Sequence, residues 1–306
     1  MHGHLRISSP WSQLAIFLGL FGAAFFIYSL IIVVVVQANG YQALAISTLD
    51  WKDPKVVSMF KVLQALSSIV IFLLPALIFA FIVFRGKYAR FLGFQKAEKQ
   101  NMYVLGVLVM LLALPFVFWL GELNRHVQLP QWMKMLESDA ATQMEAFLKI
   151  NKPIDVVINV VIIALFPAIC EELCFRSVLQ RIMINICRNP VTGIIVTGFL
   201  FSALHFQFEG FLPRMFLGIV LGTLYWYSGS IWTSILAHFI NNAVQVIIVS
   251  YAPRYVNENP AFPVLLALAS GLAVAAILYF YRKQSTITYS KVYDTHALNE
   301  HNQFIA

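Results

Sequence analysis

Long apolar runs separated by short polar stretches set the pattern of this chain. Runs long enough to cross a hydrocarbon core of about 30 Å lie at roughly 12–37, 57–84, 102–121, 154–180, 190–206, 211–228, 231–251 and 262–281. The pattern predicts about eight transmembrane helices, and so an all-α, polytopic integral membrane protein. Pro75 and Pro115 fall inside the second and third runs. Kinks are expected there, with neighbouring helices satisfying the freed backbone groups. The N-terminus, with His2 and His4 ahead of a long apolar run, lacks the short core and small-residue cleavage site of a secretory signal and is expected to remain as the first span.

The polar stretches give the topology. Residues 85–99 hold Arg85, Lys87, Arg90, Lys96 and Lys99 against Glu98 alone, and Arg282 and Lys283 come after the last run. Positively charged loops stay on the cytoplasmic side, so both termini are expected in the cytoplasm and 122–152 on the opposite face. That connection is mixed in charge, and its Trp132, Met133, Leu136, Met144, Phe147 and Leu148 are spaced like an interfacial amphipathic helix, suited to a lid. The chain thus divides into four regions: a three-helix scaffold over 1–120, an amphipathic connection over 121–152, a four-helix core over 153–251, and a last helix with a cytoplasmic tail over 252–306.

Composition agrees, with 60% of residues hydrophobic and 11% charged, which excludes an ordinary soluble domain. The net charge of +7 is explained by basic loops rather than by nucleic acid. The expected partners are the lipid bilayer and a membrane-associated polypeptide, with no nucleic acid and no soluble partner. Cys170, Cys174 and Cys187 form no disulfide framework and read as buried thiols. No internal repeat is evident, which counts against an inverted-repeat transporter.

Chemistry concentrates between residues 167 and 245. Glu171, Glu172 and Arg176 stand inside the fourth run, where each charge costs roughly 2.5–3.5 kcal/mol to insert. Glu172 and Arg176 are four apart and share a helix face, while Glu171 is rotated about 100° away. One carboxylate is therefore neutralised and the other is free to act as general base. His205 and Glu171 lie at matching distances from the turn near Arg188–Asn189–Pro190, so an antiparallel hairpin brings them to similar depth. In the seventh run His238 and Asn242 share a stripe and are suited to holding an oxyanion. By residue counting His238 sits about 13 Å from its turn and His205 about 25 Å from the other, a gap that tilt or offset turns must close.

Glu-Glu-x-x-x-Arg at 171–176, Phe-x-x-x-His at 201–205 and His-x-x-x-Asn at 238–242, in order on successive spans, resemble the CPBP family, the CAAX proteases and bacteriocin-processing enzymes also called Abi. Phe211–Gly218 and Ser228–Trp232 are similar to bacterial members. The resemblance covers roughly 120 residues and implies an intramembrane endopeptidase in which Glu171 and His205 activate water, His238 and Asn242 form the oxyanion site, and Glu172 with Arg176 orders the core. A bacterial inner membrane is the expected location.

No cofactor is favoured. Zinc is the alternative, with Glu171, His205 and His238 as its ligands, but the chain lacks His-Glu-x-x-His, the spacing that sets two ligands and a base on one helix. Two other functions compete: a non-catalytic membrane scaffold or bacteriocin-immunity protein, and a proton-coupled transporter using the buried carboxylates.

Overall fold

Every apolar run is a helix in the computed structural model, which describes residues 9–42, 49–84, 88–256, 258 and 260–293. In chain order the main helices are α1 (Pro10–Ala38), α2 (Pro54–Val83), α3 (Asn101–Arg125), α4 (Gln131–Leu148) and α5 (Pro153–Cys187), then α6 (Pro190–Ala203), α7 (Phe211–Ser228), α8 (Ile231–Tyr251) and α9 (Val264–Gln284). No strand occurs among the described residues. His2, His4, Arg85, Lys87 and the tail beyond residue 293 lie outside them.

Local chemistry fixes several starts. Asp53 accepts from the Lys55 N–H at 2.9 Å ahead of Pro54, and Asn189 accepts from Val191 and Thr192 at 2.9 and 3.2 Å ahead of Pro190. Each pair is an acceptor at the cap followed by a proline whose missing N–H falls where none is needed.

Six helices among the described residues are long and apolar enough to cross a membrane: α1, α2, α3, α5, α8 and α9. The other two expected spans exist as α6, with 14 residues, and α7, with 18. At about 1.5 Å per residue α6 rises only about 21 Å, less than a hydrocarbon core of about 30 Å. The 204–210 turn that ends it is forced at Phe206, whose φ of 52° no helix continues through.

The helices depart from the α ladder in two ways at Pro75 and Pro115, where kinks are expected, and at Pro167. Ahead of Pro75 and Pro167 the chain widens into π-helical stretches, Ser68–Leu73 and Val160–Leu165, because the ring leaves no N–H to continue the tighter ladder. At Pro115 a neighbouring helix intervenes instead. The Ser270 hydroxyl of α9 accepts from the Phe116 N–H at 3.3 Å and donates to the Leu112 carbonyl at 2.5 Å, so it is inserted in the ladder of α3.

α6 and α7 pack as an antiparallel hairpin through glycine. A Cβ on Gly218 would stand 3.1 Å from the Gly198 Cα, and one on Gly193 would stand 2.6 Å from the Ile184 backbone of α5. Close approach through small residues is what holds apolar helices together where water supplies no driving force. Gly193→Ala is therefore expected to force α5 and α6 apart and lower stability by about 1–3 kcal/mol, read as a fall in melting temperature in detergent.

The face that carries the basic loops is joined by polar bonds. Arg181 and Ser177 donate to the Phe91 and Leu92 carbonyls at 2.6 and 2.7 Å, Gln95 and Ser230 exchange bonds with the Gly229–Ile231 turn and its partner loop, and Thr286 donates twice to Glu98. Tyr293 closes this face by donating to the Arg181 carbonyl at 2.8 Å and stacking on Trp226. Burial raises the Tyr293 phenol above its ordinary range, which keeps it a donor. On the opposite face α4 crosses the ends of α2, α5 and α8, burying Phe147 and Leu148 and leaving Trp132, Met135 and Leu136 exposed.

Candidate active site

The site is built on the middle of α5. Glu172 and Arg176 are both fully buried, and the Arg176 Nε donates to Glu172 Oε2 at 3.0 Å, which is the pairing read from the spacing of four. The guanidinium lies over the Phe201 ring, 4.9 Å from its centroid. Its two terminal nitrogens have no hydrogen-bond partner among the described residues, so the ring face takes up charge that no acceptor meets.

His238 of α8 stands between the two glutamates. Its Nδ1 is 2.9 Å from Glu172 Oε1 and its Nε2 is 4.0 Å from Glu171 Oε2. The expected depth mismatch is thus closed. Part of the reason lies in α5, where Leu173–Gln180 is π-helical. A π turn holds more residues than an α turn, so Glu171 is nearer the basic face than counting at the α-helical rise implies. The glutamates differ in access: the Glu171 side chain is 11% exposed and that of Glu172 is 0%. Glu172 is sealed, and Glu171, though buried, keeps a small exposed margin.

His205 sits just past the end of α6. Its Nδ1 is 2.6 Å from the Phe201 carbonyl, so Nδ1 carries the proton and Nε2 is left as an acceptor. No hydrogen bond or ion pair joins it to Glu171. The direct partner of the glutamates is His238 instead. Phe201 separates the imidazoles: its ring is 4.8 Å from His205, 6.0 Å from His238 and 5.0 Å from Phe175. The aromatic of the Phe-x-x-x-His motif is thus the spacer on which Arg176 and both histidines rest.

Asn242 is half-buried, and its Oδ1 accepts from Nδ2 of the buried Asn241 at 3.1 Å. That bond leaves the Asn242 Nδ2 as a donor and gives Asn241 an orienting place that spacing alone did not reveal.

Sequence reasoning also missed the polar frame of the 204–210 turn. Arg214 donates to Gln207 Oε1 at 2.8 Å and to the Gln207 carbonyl. Asn124 at the end of α3 donates to the Phe208 carbonyl and accepts from the Leu212 N–H, at 2.7 and 2.9 Å. Glu137 of α4 accepts from the N–H groups of Phe208 and Glu209, beside a Trp132–Phe208 ring contact. A lone arginine inside an apolar run was the available signal, because its insertion cost asks for a reason.

Among the described residues no three His, Cys, Asp or Glu side chains are grouped to hold a metal ion. In the alternative set, His205 and His238 each meet an oxygen through Nδ1, which leaves Nε2 as the nitrogen a ligand would use, and the Phe201 ring lies beside both imidazoles. Cys170 and Cys174 are free and buried.

Fold and site together define a polytopic, all-α membrane protein with an acid–base cluster buried among its helices. Residues 153–244, which hold all seven motif residues, are similar to the family described as Type II CAAX prenyl endopeptidase Rce1-like, in agreement with the resemblance over that segment. No curated protein and no solved structure matches the chain.

Proposed function

We propose that the α5–α8 unit hydrolyses a peptide bond in a membrane-associated polypeptide, CAAX-like or of the bacteriocin type, with water activated by Glu171. The observation that carries the reading is the pair of unlike glutamates around His238. Glu172 is sealed and paired with Arg176, whereas Glu171 is partly open, with His238 as its nearest ionic neighbour at 4.0 Å.

The chemistry rests on these atoms. Glu171 takes a proton from water as the oxygen attacks the scissile carbonyl carbon, with the Nε2 of His205 orienting the water as acceptor. The oxyanion accepts from the Asn242 Nδ2 and from the Nε2–H of His238. The His238 Nδ1 is held by Glu172 Oε1 at 2.9 Å, which fixes the ring so that Nε2 is aimed at the reacting centre. Glu171 then gives its proton to the departing amine as the C–N bond breaks. No metal is assigned a part.

The basic loops support cytoplasmic termini. A bacterial inner membrane remains the location proposed.

The test compares membrane-associated peptides from cells carrying the wild type and Glu171→Ala. A fragment lost in the variant, with its precursor accumulating, supports the reading; identical peptides with an unchanged phenotype would favour a scaffold. Cleavage of the identified peptide by metal-stripped, chelator-treated protein in proteoliposomes is expected to proceed at the untreated rate. Loss of that cleavage and its return with zinc would overturn the metal-free mechanism.

A further inference from the structure

Arg214 is the one cation of α7, and no motif assigns it a role. Its guanidinium is committed on one side to Gln207, through both the side-chain and the main-chain oxygen, and its Nε is buried without a partner among the described residues. Glu137 of α4 meets the same turn, accepting from the N–H groups of Phe208 and Glu209. Gly210 makes the seat: a Cβ there would stand 2.8–2.9 Å from the guanidinium atoms. The φ of −101° at Gly210 is open to any residue, so glycine is there for space and not for backbone freedom.

The clamped turn begins one residue past the end of α6, next to His205. Phe206 has a left-handed backbone, so the helix has already been left and its ladder no longer fixes the residues beyond it. Three groups restrain the turn: Arg214 from α7, Asn124 from α3 and Glu137 from α4.

We propose that Arg214 is a positioning residue of the site: by clamping Gln207 it holds the 204–210 turn and the orientation of His205 within it. The proposal rests on the peptidase reading for its kinetic consequence and on the clamp alone for its structural one. Glu137, bound to the same turn, joins α4 to the clamp, so the amphipathic helix and the catalytic histidine move together.

The experiment uses full-length protein in proteoliposomes with a cleaved membrane peptide, and the variants Arg214→Met, Arg214→Lys and Gly210→Ala. Arg214→Met is expected to lower kcat by about a hundredfold with KM within about threefold of wild type, the pattern of a displaced group that does not hold substrate. Arg214→Lys, which keeps the charge and one bond, is expected to recover about a tenth of wild-type kcat. Gly210→Ala is expected to lower kcat alone and to add nothing to Arg214→Met. A spin label at Glu209→Cys in a Cys187→Ser background should gain mobility in Arg214→Met and Gly210→Ala. Unchanged mobility, or a raised KM with wild-type kcat, would overturn the assignment. If mobility rises while Glu171→Gln cleaves as well as wild type, the clamp stands and the peptidase mechanism falls.

Discussion

Glu171→Gln is expected to abolish peptide cleavage while leaving the protein inserted, abundant and as stable as the wild type. The amide fills the space of the carboxylate but takes no proton, so a general base worth about 10²–10⁴-fold in rate is removed with little change in packing. Stability is unaffected because the bonds that hold this part of α5 belong to Glu172: the Arg176 pair at 3.0 Å and the His238 bond at 2.9 Å. The measurement is initial rate on a defined membrane peptide beside a melting curve of the same preparation. Full activity in Glu171→Gln would remove the basis of the mechanism. A melting temperature lowered as far as in a Glu172 variant would show that the two carboxylates do not divide the work as described.

Arg176→Leu is expected to have the opposite signature, a loss of folded protein ahead of any kinetic effect. It leaves the Glu172 carboxylate, fully buried, without its cation, and stranding one member of a buried pair costs about 3–5 kcal/mol. Arg176→Lys is not expected to restore stability, since an ammonium lacks the planar face that rests on Phe201. Adding Glu172→Gln to Arg176→Leu removes the stranded charge, and the double variant is expected to melt above Arg176→Leu alone. Yield and melting temperature in detergent read both results, and a double variant less stable than the single would sink the ion-pair account.

Apolar runs and charge spacing carried much of this architecture. All eight runs are helices, and Glu172–Arg176 pairs as the interval of four requires, since both features are written in local periodicity. Depth was not legible from residue counting because the count assumes one rise per residue, and the π-helical Leu173–Gln180 stretch breaks that assumption. His205 was matched to Glu171 by the same count, yet Phe201 stands beside it and His238 takes the place at the glutamates. Side chains that act through the fold were invisible for a different reason. Asn124, Glu137 and Arg214 come from three helices and meet only at the 204–210 turn, a convergence that no single-helix pattern encodes. Asn241 and Asn242 are neighbours in sequence, and only the bond between them separates orienter from donor.

The polar bonds across the basic-loop face have a consequence for how this molecule breathes. Amides beside the Arg181–Phe91, Gln95–Gly229 and Thr286–Glu98 links should exchange with heavy water only through global opening, whereas those of α4 and the 204–210 turn, tied by Glu137 and Asn124, should exchange through local opening at lower free energy. On the peptidase reading proposed above, a polypeptide is expected to reach Glu171 through the half that opens by itself. The half that keeps Glu172 and Arg176 together stays shut while it does.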